Sequence, residues 1–77
     1  MTIDVKGFGK VTASRETLND LAVLFIYAEE AMKRREAEST TEHMREVYKR
    51  MAGYKNESRN SIFEALDAVG YYANNKK

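Results

Sequence analysis

His43 is the single histidine of the chain, and it stands beside Glu42 and near Glu46 in a segment with helical spacing. An imidazole flanked by carboxylates could begin a metal site or serve as a general base near a serine. A catalytic zinc centre takes three convergent protein ligands, however, and two acids around one helical histidine are ordinary surface chemistry. Ser14, Ser39, Ser58 and Ser61 lack the nucleophile-elbow pattern that would set a hydroxyl beside an oxyanion hole. Glu29 and Glu30 point in different directions around a helix and form no acid–base dyad. There is no cysteine and no phosphate loop of the nucleotide-hydrolase kind. The sequence therefore predicts no catalytic residue, no metal ligand set and no cofactor. It does not read as an enzyme.

Binding chemistry has more material. In Lys6-Gly7-Phe8-Gly9-Lys10 the glycines permit close backbone approach, the lysines could neutralise phosphates, and Phe8 could stack on a base. RNA-recognition and cold-shock domains use aromatic strands of this sort. Those folds need four or five strands, and here lysine rather than an aromatic follows the second glycine. A glycine turn with two solvated lysines and Phe8 folded onto a helix explains the same residues. Lys33, Arg34 and Arg35, with Arg45, Lys49 and Arg50, could add a second basic patch. Against that, Glu29–Lys33, Glu30–Arg34 and Glu46–Arg50 are i, i+4 pairs in the favourable orientation, so a salt-bridged face is preferred. Lys6, Phe8, Lys10, Lys33, Arg34 and Arg35 remain the residues of a nucleic-acid or cyclic-nucleotide alternative, with binding that would weaken steeply in salt.

Tyrosine is the other signal. Tyr54, Tyr71 and Tyr72 offer the amphipathic area enriched at protein interfaces and are the candidates for contacting a partner, whereas Tyr27 and Tyr48 also suit a core edge. Met32, Met44 and Met51 read as core filling.

These residues must be positioned by few elements. The chain has 77 residues, 43% hydrophobic and 32% charged, with no proline or tryptophan and a net charge of +1. That balance argues against a general polyanion binder, and one domain fills the chain. No apolar run approaches the roughly 20 residues of a membrane span, and no stretch near the N-terminus suits a signal peptide. Absence of cysteine fits a reducing compartment, so the expected location is the cytoplasm, without membrane contact. A chain this short buries only about 60% of its unfolded surface, and with no disulfide or metal to staple it an oligomer is expected.

Residues 1–13 alternate as a short β-hairpin, with Ile3 and Val5 inward and Gly7-Phe8-Gly9 as the connection. Helix one covers 14–38, with Ser14 or Thr17 as cap. Its apolar residues Leu18, Leu21, Ala22, Phe25, Ala28 and Met32 form one face. Leu21–Ala28 is unbroken, so Val23, Ile26 and Tyr27 make a second face, which the hairpin or another chain must cover. Those three are the predicted self-association residues. Helix two covers 40–53, opened by Ser39 with Glu42 and ended at Gly53. The polar run Tyr54–Asn60 reads as a loop or kink, although a continuous helix through Gly53 is compatible with it. Helix three covers 58–70, opened by Ser61 with Glu64 and ended by Gly70. Tyr71–Lys77 is a tail. The fold class is mainly α: two or three helices in an antiparallel hairpin or bundle with a short N-terminal β-hairpin.

Taken together, Ile3-Asp4-Val5-Lys6-Gly7-Phe8-Gly9, Tyr27-Ala28-Glu29-Glu30-Ala31 and Ile62–Tyr72 resemble small uncharacterised helical proteins encoded by phages and prophages of low-GC Gram-positive bacteria. The resemblance implies an accessory phage product that acts by binding a host factor. Some such proteins inhibit bacterial immunity, anti-CRISPR proteins among them. It carries no site residues. The resulting expectation is a homo-oligomeric protein-interaction module. A nucleotide or nucleic-acid binder and a purely structural subunit are the alternatives.

Overall fold

In the computed structural model, which describes residues 1–73, two strands precede two long helices. Strand β1 (Thr2–Val5) pairs antiparallel with β2 (Gly9–Thr12), Ile3 opposite Val11 and Val5 opposite Gly9. The turn closes at Phe8, whose amide donates to the Val5 carbonyl at 2.9 Å. Gly7 and Gly9 have φ of +76° and +120°, a region that side chains resist. The glycines therefore serve the backbone of this turn.

Helix α1 (Arg15–Glu38) is capped by Ser14, whose Oγ accepts from the Thr17 amide at 3.1 Å. Of the two caps the sequence offers, the earlier is used. Helix α2 (Glu42–Ala68) starts from Thr41, which caps the Met44 amide. Ser39, expected to open this helix, instead closes α1, donating from its hydroxyl to the Arg35 carbonyl at 2.7 Å.

The division into helices at 40–53 and 58–70 is replaced by one continuous helix. Gly53 costs about 1 kcal/mol in a helix interior, which is too little to break one packed along its length. The polar run after it is not a loop, because its side chains have partners. Asn56 and Arg59 reach Glu29 on α1, and Ser58 reaches the β-hairpin. Ser61 caps nothing; it sits within α2. Gly70 does end the helix. With φ +77°, it donates to the Asp67 carbonyl while Tyr71 donates to Leu66, a Schellman closure.

The core lies where the hairpin crosses the helix pair. Val5, Leu18, Ala22, Ile62 and Leu66 are fully buried, with Ile3 and Phe25 nearly so. On α1, Leu21, Ala28 and Met32 of the predicted inner face are half-buried. The covering is incomplete for a simple reason of length. A four-residue strand extends about 13 Å, whereas the 27 residues of α2 run about 40 Å. The end of the helix pair near the α1–α2 turn is left bare.

Candidate functional site

Two surfaces and one buried cluster concentrate the chemistry. The cluster centres on Glu29, whose side chain is only 9% exposed. Its carboxylate meets Lys33 Nζ at 3.3 Å and Arg59 at 3.5 Å, and accepts from Asn56 Nδ2 at 3.3 and 3.4 Å. Arg59 and Asn56, both on α2, tie this buried acid of α1 across the helix pair, and without Arg59 its only ion-pair partner among the described residues is the exposed Lys33 of its own helix. Beside it lies a hollow of about 400 Å³ bordered by Lys33, Glu36, Lys49 and Gly53. Arg59 Nε is buried without a hydrogen-bond partner among the described residues, its guanidinium being held on one side only.

The first surface is the outer face of α1. Tyr27 is 64% exposed and Leu24 62% exposed, with Val23 and Ile26 half-buried at its edge. Of the predicted self-association residues, Tyr27 is thus fully presented and the other two partly. Leu24 was the residue missed; it lies inside the unbroken apolar run, and only its angular distance from Leu18 and Ala22 separates it from the core face.

The second surface lies on α2. Met44, Val47, Met51 and Tyr54 recur at spacings of three, four and three. Met44 and Met51 were expected inside, but both are exposed, as is Tyr54, and Val47 is half-buried. The hairpin that would cover them sits further along α2, on Ser58, Ser61 and Ile62. Val47, Arg50, Met51 and Tyr54 enclose a hollow of about 160 Å³.

Tyr71 and Tyr72 do not join Tyr54. They fold back on the core, Tyr72 packing at 6.0 Å from Phe63 and donating its hydroxyl to Asn19 Oδ1 at 2.6 Å. Burial, followed by the neighbouring Tyr71 and Asp67, raises the Tyr72 phenol above its ordinary value. The remainder of the predicted tail, 74–77, lies outside the described residues.

The residues of the nucleic-acid alternative are scattered. Phe8 packs edge-on against Phe25 at 5.8 Å while staying 62% exposed. Lys6 borders a hollow that also holds Glu57 and Glu64, and Lys10 is opposite Asp4 in the sheet. Lys33 pairs with Glu29, whereas Arg34 and Arg35 are exposed about 13 Å or more along α1 from Phe25. No single patch gathers them. Of the three expected i, i+4 ion pairs only Glu29–Lys33 forms, so Glu30–Arg34 and Glu46–Arg50 do not neutralise their cations.

His43 is exposed, and among the described residues no three His, Asp or Glu side chains are placed to hold a metal ion. No helix among them is long and apolar enough to cross a membrane. No family model matches the chain, and no curated protein or solved structure is significantly similar to it.

Proposed function

We propose that this chain is a non-enzymatic protein-interaction module whose helices are built to be covered by other polypeptides. One observation carries the reading: after the hairpin has docked, Leu24 and Tyr27 on α1 and Met51 and Tyr54 on α2 still stand in solvent. Large apolar side chains gathered on a small domain's surface mark places where another chain packs. A core this thin also gains most from a partner.

The α1 face suits a second copy. If two α1 helices pack antiparallel about Tyr27, Asp20 of each lies opposite Arg34 of the other, and neither has an ion-pair partner among the described residues. Val23, Ile26 and Leu24 would flank the centre. The phage and prophage resemblance extends the reading to a host protein as a further partner, a bacterial immunity factor included. The cyclic-nucleotide or nucleic-acid alternative has less support, since Lys6 has acidic neighbours and Lys33 is engaged by Glu29.

Light scattering tests the self-association. The expected mass is a multiple of 8.9 kDa that falls to the single-chain value in Leu24→Glu/Tyr27→Glu and in Val23→Glu/Ile26→Lys. A single-chain mass for the unsubstituted protein at micromolar concentration overturns it.

A further inference from the structure

We infer that the bare half of α2 receives an amphipathic helix of a different protein, one whose apolar seam is bordered by carboxylates. The inference rests on the interaction-module reading and names the partner's chemistry. Met44, Val47, Met51 and Tyr54 alternate at three and four residues, the spacing of a seam that a partner helix follows with a slight left-handed supercoil. The hollow between them is bounded by Val47, Arg50, Met51 and Tyr54, residues i, i+3, i+4 and i+7. Those four positions form the hole that accepts one knob in helix–helix packing. A hollow of about 160 Å³ there, with none of the other described residues lining it, leaves room for a side chain of the partner.

Charge selects the occupant. Arg50 and Lys55 border the seam on its two sides, Glu57 follows one heptad after Arg50 and beyond the last seam residue Tyr54, and Arg35 lines a hollow with Tyr48 next to it, in company with Glu38. None of the three cations forms an ion pair among the described residues. Lys55 instead lies over the Phe25 ring, 5.5 Å from its centre, which leaves its charge uncancelled. A second copy of α2 that covers the whole seam, Met44 on Tyr54 and Val47 on Met51, would set Arg50 on Arg50 when antiparallel, and a parallel copy would set Arg50 on Lys55. Like charges at these flanking positions disfavour pairing, and acids there favour it. Within its own length the seam therefore favours an acidic helix over its own copy.

Two synthetic helices test this. Each has about three heptads with leucine and isoleucine in the seam, one with glutamate at every flanking position and one with lysine there. Fluorescence anisotropy on the full chain is expected to show the glutamate peptide binding at least about tenfold tighter than the lysine peptide, with the difference shrinking from roughly 50 to roughly 500 mM salt. Met51→Glu should weaken the glutamate peptide by about tenfold or more, and Arg50→Glu should shift preference toward the lysine peptide. Both positions are exposed, and circular dichroism verifies that each variant keeps its helix content. Equal binding of the two peptides, no binding of the glutamate peptide, or an unchanged affinity in Met51→Glu overturns the inference. So does an oligomer whose mass drops in Met51→Glu, because a second copy would then occupy the seam. Leu24→Glu/Tyr27→Glu separates the two readings: it should abolish self-association and leave peptide binding intact.

Discussion

The Ser58 hydroxyl donates to the Lys6 carbonyl at 2.8 Å, and one turn later the Ser61 hydroxyl accepts from the Lys6 amide at 3.0 Å. The backbone of a single hairpin residue is thus gripped on both sides by α2. The residue that looked like a phosphate ligand is, through its main chain, the point where the sheet is fastened to the helices. Its ammonium remains in solvent. Gly7 follows at once, and the site where its Cβ would be is 3.8 Å from Ser58 Oγ.

Ser58→Ala removes the hydroxyl of a buried serine that donates to the Lys6 carbonyl and should lower stability by about 1 kcal/mol, read from urea denaturation. Ser61→Ala should cost somewhat less in stability but accelerate hydrogen exchange at the Lys6 amide. If both variants match the parent in stability and in Lys6 exchange, the hairpin is not docked as described.

Alkaline conditions should loosen the C-terminal closure through Tyr72. Its phenol is raised above the ordinary value, chiefly by burial and then by Tyr71 and Asp67, so the folded chain holds that proton more tightly than the unfolded one. The resulting stability is intact below the ordinary phenol value of about 10 and is lost as pH rises through the folded-state value. Tyr72→Phe should cost about 1 kcal/mol near neutrality by deleting the bond to Asn19, and should flatten the alkaline decline. Melting curves recorded across the alkaline range decide the matter; parallel declines for parent and variant contradict it.

Gly53 occupies an exposed position inside α2, where an added Cβ would have nothing within 4 Å. Gly53→Ala should therefore raise stability by about 0.5–1 kcal/mol, since alanine loses less backbone entropy on entering a helix. A lower melting temperature in this variant would mean that the chain bends at Gly53.

Features that depend only on neighbours along the chain can be read from the residues alone. The alternation about Ile3 and Val5, the glycine turn and the stop at Gly70 are local preferences legible without coordinates, as was a cap at Ser14 or Thr17, of which the fold uses Ser14. Tyr54–Asn60 was misleading because polarity implies solvent only when a side chain has no partner. Glu29 on α1 turns Asn56 and Arg59 into packing residues, and no local signal reports a carboxylate 27 and 30 positions away. The same holds for Met44 and Met51. Their spacing identified a helical face, but whether it is covered depended on where the hairpin came to rest. Ser58 and Ser61 hold it over the far half of α2, and its strands are too short to reach back. Periodicity reveals that a face exists; only the tertiary arrangement of a sheet shorter than its helices decides which part stays uncovered.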